Sequence, residues 1–415
     1  MNNFELNSNN INKIKELNSD VILFGSGFYG KLAYSALKQK GIEIKYFVDE
    51  NPTQHGKLLY EKKIISLEEL KKESKECHIF ICSGYVIESI NSRLKGLSFK
   101  NLYNCVSLFN DLSFDKNKLS FSNVNNYLDS KTITRKIEIY NSGCKVKNTS
   151  ELNIKYIDIM ITEKCSMKCK DCSNLMQYYE DPKNSDTEIL LQSVDKIMDS
   201  LDSLNEFRVL GGEPFMNKEI GKIIRGLKKY EKVSQIVIYT NGTILPKGEN
   251  LEELKHSKIV MDITNYGSLS RNHDKLIEVL IKENIPFLTT IPKWTDSGRI
   301  NFQKKTEDEL KFQFKNCCTN DYLTLLNGKL YRCPFSANTM NLKAIPMVED
   351  EFIDLQKNRS TQDLKDNISK LYYSPKYLSA CHFCNGRDFT TPRIKTAIQA
   401  DKVISIPKFP NTIAQ

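Results

Sequence analysis

Tyr156-Ile157-Asp158-Ile159-Met160-Ile161-Thr162-Glu163-Lys164-Cys165-Ser166-Met167-Lys168-Cys169-Lys170-Asp171-Cys172 is the stretch on which the reading of this 415-residue chain turns. The run from Ile157 to Ile161 is short, apolar and β-branched, which predicts a buried strand, and Thr162-Glu163-Lys164 breaks it. Cys165, Cys169 and Cys172 then fall on the loop leaving the carboxyl end of that strand, where α/β sheets place their ligand sites. Three thiolates at C-x3-C-x2-C spacing can hold three corners of a metal centre. Iron–sulfur clusters are normally closed by four cysteines, so a missing fourth ligand would leave an iron open to another molecule. For the triplet alone, a zinc site completed by a distant His or Cys is an equal alternative.

Downstream, a helix is predicted over Glu188 to Leu201. A strand over Phe207 to Leu210 then runs into Gly211-Gly212-Glu213-Pro214, and after a second helix Ile236 to Tyr239 runs into Thr240-Asn241-Gly242-Thr243. Strands alternating with helices, each strand ending in a Gly or polar signature, describe βα units of a parallel sheet. With the cysteine triplet, the Gly-Gly-Glu-Pro turn and Thr240-Asn241-Gly242 in this order, the chain resembles radical S-adenosylmethionine (SAM) enzymes.

That resemblance implies an α/β fold with a central partial (β/α)6 barrel. It also implies a 4Fe-4S cluster on Cys165, Cys169 and Cys172, whose open iron is chelated by SAM. Reductive cleavage of SAM would give a 5′-deoxyadenosyl radical that abstracts a hydrogen from substrate, with a flavodoxin- or ferredoxin-type reductant as partner. Gly211, Gly212, Glu213 and Pro214 would face the methionine ammonium, and glycine suits a main chain that must come close to a ligand. Thr240, Asn241 and Thr264 would bind the cofactor. The strand Ile259 to Thr264 would lead Thr264, Asn265 and Tyr266 toward SAM and substrate, although a simple turn accounts equally for each. A strand over Pro286 to Ile291 delivers Lys293, Trp294 and Asp296. Tyr266, Asp262 and Asp296 are candidates for proton handling, and Trp294 is either a lid or core packing. Asp171 departs from the family, where an aromatic residue often precedes the third cysteine.

Toward the amino terminus, after a polar lead and short helix over residues 1–18, Val21 to Phe24 runs into Gly25-Ser26-Gly27-Phe28-Tyr29-Gly30 and a helix. Ile42 to Val48 and Asp49 follow. A strand, G-x-G-x-x-G at a helix start and an acid after the next strand make a dinucleotide fingerprint, with Gly25, Gly27, Gly30 and Asp49 as its cofactor-binding residues. The helix start offers free N–H groups to phosphate. The unit continues through Ser66 to Lys72, and a strand over His78 to Cys82 ending in Ser83-Gly84-Tyr85 and one over Leu102 to Val106 complete it. Residues 1–112 are too few for two full halves of such a domain. They resemble the small Rossmann-like domains attached to sugar-modifying enzymes and acyltransferases, some of which bind a nucleotide-sugar. Ligand binding and a structural role both stay open, and Asp49-Glu50-Asn51-Pro52 could equally be a turn.

The carboxyl-terminal cysteines form a second constellation. Cys317-Cys318 precede Tyr322 to Leu326, an Asn327-Gly328 hairpin signal and Lys329 to Cys333, with Cys381-His382-Phe383-Cys384 later. The run Cys318-x9-Gly328-x4-Cys333 resembles the opening of SPASM and twitch extensions. By that resemblance Cys318, Cys333, Cys381 and Cys384 hold one auxiliary 4Fe-4S cluster, with Cys317 competing for the place of Cys318 and zinc as the alternative metal. The expected organisation is therefore a Rossmann-like domain (1–112), a connector (113–150), a radical SAM core (151–300), a twitch-like domain (301–390) and a tail (391–415).

Composition bounds the rest. The amino terminus lacks the apolar core of a signal peptide and no run approaches a membrane span, so the expected site is the reducing cytoplasm, where 12 cysteines point to metal ligation. Cys77, Cys82, Cys105 and Cys144 lack ligand spacing and read as buried inert thiols. The formal charge of +9 comes from Lys scattered among Glu and Asp, which suits a solvated surface better than a nucleic-acid face. The favoured activity is oxidation or epimerisation of a carbon on a sugar or nucleotide-sugar. The alternatives are peptide maturation, RNA modification and a non-catalytic, metal-stapled binding protein.

Overall fold

The computed structural model describes residues 14–15, 19–83, 87–109, 126–144, 151–387 and 391–407. Most of the expected lead over 1–18, Gly84, Tyr85, residues 113–125 and 145–150 of the connector and the last eight residues lie outside them. The chain divides into two compact units, 1–120 with 136–145, and 121–135 with 146–415. No helix is long and apolar enough among the described residues to cross a membrane.

The first unit holds a six-stranded sheet. Its strands are β1 (Val21–Phe24), β2 (Tyr46–Val48), β3 (Leu58–Leu59), β4 (Lys62–Ile65), β5 (His78–Ile81) and β6 (Asn101–Asn104), in the spatial order β3-β4-β2-β1-β5-β6. All neighbours are parallel except the β3–β4 pair. Strand order reverses at β1, and a crevice at the carboxyl ends of such strands is where open α/β sheets take ligands. Ile22, Val48, Ile79 and Ile81 are fully buried on one face, each contributing roughly 1.5–3 kcal/mol by leaving water. The sequence reading passes over β4, since Lys62-Lys63-Ile64-Ile65 has only two apolar residues. The last strand is also shorter than expected, because the Asn104 side chain accepts from Val106 N (3.1 Å) and caps a 3-10 turn over Cys105–Leu108.

The second unit is built on a nine-stranded sheet. Strands β7 (Asn126–Tyr127), β8 (Asn153–Met160), β9 (Ser203–Leu210), β10 (Val233–Thr240), β11 (Ile259–Thr264), β12 (Phe287–Thr290), β14 (Tyr322–Leu326), β15 (Lys329–Tyr331) and β16 (Phe352–Asp354) lie in the order β16-β15-β14-β8-β9-β10-β11-β12-β7. The six strands from β14 to β12 are parallel. The short pair β13 (Trp294–Thr295) and β17 (Arg393–Ile394) forms a separate antiparallel ribbon. Residue alternation sorts the two faces of the large sheet. Ile157, Ile159, Phe207, Val209, Ile236, Ile238, Ile259 and Met261 are fully buried in the main apolar core, with residues of the helices Thr187–Ser200, Ile220–Lys228 and His273–Lys282. The opposite face carries Tyr156, Asp158, Arg208, Tyr239 and Tyr322. There Arg208 Nε meets Asp158 Oδ1 at 3.2 Å, and its guanidinium lies 4.3 Å from the Tyr322 ring centroid.

The Asn327-Gly328 signal is a hairpin turn, with φ of 48° and 73°, and it joins β14 to β15 as the sequence predicts. What the sequence does not announce is that β14 pairs in parallel with β8, through Tyr322 to Tyr156 and Thr324 to Asp158. One sheet therefore runs across residue 300, with the cysteine triplet after β8 and Cys317 and Cys333 flanking β14 and β15.

Candidate active site

The loop after β8 is clamped to the end of β9. Ile161 N donates to Leu210 O (2.9 Å), Gly212 N to Thr162 O (2.9 Å) and Glu213 N to Lys164 O (2.8 Å). A Cβ on Gly211 would lie 2.2 Å from Thr162 O, and one on Gly212 would lie 2.2 Å from Lys164 O and 2.8 Å from Cys165 Cβ. Close approach of main chains thus requires both glycines, and what comes close is the cysteine loop itself. Cysteine backbone and Gly-Gly-Glu-Pro turn form one rigid edge.

Glu213 is fully buried. Its carboxylate accepts from Thr240 Oγ1 (2.9 and 3.0 Å), Asn241 N (2.8 Å) and Phe215 N (3.2 Å). It therefore ties the end of β9 to the end of β10. Burial pushes its acid up to about 7, against the hydrogen bonds from Asn241, Thr240 and Phe215 that favour the charge. Asn241 Nδ2 reaches Ser166 Oγ (3.1 Å) and Cys165 Sγ (3.8 Å), and Ser166 Oγ shares a hydrogen with Thr243 Oγ1 (2.5 Å). Three sheet edges are therefore stitched together around Cys165.

The remaining predicted residues sort by position. Thr264 ends β11, and its carbonyl accepts from Ser270 Oγ (3.3 Å), which also donates to Asn241 O (2.7 Å). Tyr266 lies against the triplet: burial first, then the nearby thiols, push its phenol well up, while the Trp294 indole N–H hydrogen-bonds it. The two rings meet edge to face at 5.9 Å. Asp262 stands on β11, beside Tyr239 across the strand pair. Asp296 instead caps its own turn, accepting from Gly298 N (2.9 Å). Asp171 is ion-paired with Arg299 at 2.5 Å, so a charged contact occupies the position before the third cysteine.

Both cysteine groups have the donor set an iron–sulfur cluster uses. The Met167 N–H bonds Cys165, and those of Asn174, Leu175 and Met176 bond Cys172. Such N–H···S contacts are a protein's lever on a cluster. Among the described residues no three His, Cys, Asp or Glu side chains gather closely enough for a single ion. In a cubane cluster each cysteine ligates its own iron, so the sulfurs need not gather so closely.

In the second constellation Cys317, Cys333, Cys381 and Cys384 line one cavity of about 560 Å³ of empty space, its mouth included, together with Arg387. Cys318, the ligand that the resemblance implies, is not among the lining residues. Spacing alone could not separate the neighbours; the turn after the helix Glu307–Asn316 turns Cys317 inward. Hydrogen bonds from the Cys318 thiol and from Thr319 pull the Cys317 thiol down, whereas burial pushes Cys333 and Cys384 up to about 12. Ser336 N donates to Cys333 Sγ (3.3 Å) and Gly386 N to Cys384 Sγ (3.3 Å). Gln313 Nε2 holds the Cys381 and Cys384 carbonyls (3.2 and 3.1 Å), with Lys305 beside it. Nothing in the local sequence announces Gln313, Lys305, Arg387, Ser166 or Thr243 as site residues.

The amino-terminal fingerprint folds as a glycine turn. Gly25 has φ +118°, and a Cβ on Gly30 would collide with Gly25 O at 1.9 Å, while Gly27 opens the helix Phe28–Gln39 with free space around it. Asp49 accepts from Ser26 N (3.1 Å), Ser26 Oγ (2.5 Å) and Asn51 N (2.8 Å). Its carboxylate thus braces the glycine turn and its own turn. Cys77, Cys82 and Cys105 are buried free thiols, and the Cys144 side chain lies outside the described residues.

Residues 159–296 match the radical SAM superfamily model. Over this stretch, about a third of the chain, the protein is similar to that superfamily. The chain is 25% identical over 289 residues to a GTP 3′,8-cyclase of Clostridium acetobutylicum, covering 62% of this chain and 86% of that one. A GTP 3′,8-cyclase of Alkaliphilus metalliredigens is 28% identical over 149 residues, 32% of this chain and 46% of its own length. Among solved structures, BtrN in complex with AdoMet and 2-DOIA aligns at 15% identity, over 60% of this chain and 98% of that one, with a TM-score of 0.36. Native anSMEcpe with bound AdoMet aligns at 14% identity, over 52% of this chain and 80% of that one, with a TM-score of 0.34. At these scores the structural likenesses carry no weight.

Proposed function

We propose that this protein is a radical SAM enzyme that oxidises or epimerises a carbon of a sugar or nucleotide-sugar, with one cluster on Cys165, Cys169 and Cys172 and an auxiliary one on Cys317, Cys333, Cys381 and Cys384. The observation that carries this reading is the joining of the triplet loop, the Gly211–Pro214 turn and the Thr240–Thr243 turn at one sheet edge. SAM bound there would supply, on one-electron reduction, a deoxyadenosyl radical able to take hydrogen from an unactivated carbon.

The chain's own residues bind and orient. Gly211 to Glu213 present main chain beside Cys165, and the Glu213 carboxylate would gain a counter-charge from the methionine ammonium, which suits its otherwise costly burial. Tyr266, kept neutral, serves as a hydrogen-bond donor, and Asp262 and Asp296 are the candidate carboxylates for accepting a proton. Four cysteines at the auxiliary centre leave no vacant place for substrate. They suit a route for the electron that a carbon radical must lose, together with a proton, to become oxidised. Arg208, Tyr239 and Tyr322 make the inner sheet face polar, as a hydroxylated substrate needs, and the named substrate of the GTP 3′,8-cyclases favours a nucleotide part. The glycine turn of the first unit supports a place for such a nucleotide.

Anaerobic reconstitution tests the reading. We expect about eight irons per chain, from two four-iron clusters, and deoxyadenosine on incubation with SAM and a flavodoxin- or ferredoxin-type reductant. Replacing Cys169 by Ala should remove about half the iron on the same arithmetic and abolish deoxyadenosine. Zinc in place of iron, or iron without SAM cleavage, would refute it.

A further inference from the structure

A segment distant in sequence covers the triplet loop. After β17 the chain turns at Ala397, which is buried and left-handed (φ 53°), a conformation that a Cβ disfavours. It then runs antiparallel to the loop: Cys169 bridges Gln399, Lys170 N donates to Ile398 O (2.9 Å), Ala400 N to Lys168 O (2.6 Å) and Ile404 N to Gln177 O (2.9 Å). The start of this strap is fixed by Asp296 N donating to Pro392 O (2.9 Å) and by the β13–β17 ribbon.

Within it the Gln399 amide is engaged at both ends. Its Oε1 accepts from Lys168 N (2.8 Å), while its Nε2 donates to Ala397 O (2.8 Å) and to Cys169 Sγ (3.2 Å). A strap needing only adhesion could use the main-chain bonds alone. The strained turn and an amide whose orientation is fixed by two further bonds aim one N–H at a ligand sulfur.

We propose that residues 397–400 are a built-in part of the SAM-cluster site and that Gln399 is a positioning residue, holding Cys169 as a thiolate ligand and stabilising the reduced cluster through its N–H···S bond. The inference rests on the reading of Cys165, Cys169 and Cys172 as cluster ligands. An N–H donor favours the more negative, reduced state, so its removal lowers the reduction potential, and outer contacts of this kind typically change metal affinity 10–100-fold.

The test compares the full-length protein with Gln399→Met, which keeps length and loses the amide, and Gln399→Glu, which turns the donor into an acceptor. Gln399 is exposed, so neither change threatens folding. The readouts are iron per chain, the midpoint potential of the SAM-responsive EPR signal, and the rate of iron loss to a chelator. We expect the potential to fall in the order Gln, Met, Glu, with iron loss accelerated about 10-fold or more. Loss of the SAM-site iron with auxiliary iron retained also supports the role. Full iron with unchanged potential and release rate in both variants overturns it. Absence of any SAM-responsive cluster in the unaltered protein would instead refute the underlying site.

Discussion

At the residue scale, the most informative group is Glu213. Burial raises its folded acid to about 7, above an unfolded value of about 4.3. The native state therefore binds more protons between these values, so the metal-free, SAM-free protein should lose stability as pH rises from about 4.5 to 7, by on the order of 2–3 kcal/mol. Glu213→Gln should flatten that slope in urea titrations of the apo-protein, and an unchanged slope would show that another group governs it. The same substitution removes the counter-charge for the methionine ammonium. SAM affinity, measured by equilibrium dialysis on the reconstituted protein, should fall about 10-fold or more, the 1.5–3 kcal/mol worth of a hydrogen bond to a charged group. At the second constellation, Cys317→Ser should lose the auxiliary iron, whereas Cys318→Ser should retain it and only weaken the hold on the Cys317 thiolate. Iron analysis separates the two, and the opposite pattern would reinstate Cys318.

At the scale of elements, the site is a matter of strand ends brought into contact. Gly212→Ala would put a methyl 2.2 Å from Lys164 O and 2.8 Å from Cys165 Cβ, both held by main chain that cannot rotate away. We expect about 1–3 kcal/mol of destabilisation from overpacking, with SAM-site iron lost before auxiliary iron, and equal iron at both sites would argue against the clamp. The strands themselves are legible, since the apolar runs of β8, β9 and β10 and the Asn327-Gly328 turn read directly. Lys62–Ile65 does not, because two lysines mask a strand whose pairing is set by its neighbour β2. The two leading glycines of Gly211–Pro214 were legible as a motif but not in their physical cause. The approaching backbone belongs to residues 162–165, more than 40 positions earlier.

For the whole molecule, the first unit poses a separate question. The helix Phe28–Gln39 starts at Gly27 with open space around it, so Gly27→Glu adds a negative charge there without a clash. If the unit holds a nucleotide phosphate, calorimetric affinity for nucleotide-sugars should drop by about 10-fold or more, as like charge at a helix start predicts. Unchanged binding would remove this unit from substrate holding. Deleting residues 1–112 is a poorer test, because residues 136–145 pack within the same unit and would lose their partners.

The sequence by itself determined the chemistry available: which residues are soft donors, which turns lack side chains, and the alternation of strands and helices that sets a parallel sheet. These are local properties, carried by residue type and short spacing. Only the tertiary structure decided that Cys317, not Cys318, faces its cavity, that β14 extends the sheet beside β8, that Glu213 ties two strands together, and that Gln399 touches Cys169. Each of those depends on atoms far apart along the chain meeting at hydrogen-bond distance, and no local pattern encodes the direction of a turn or the partner of an edge.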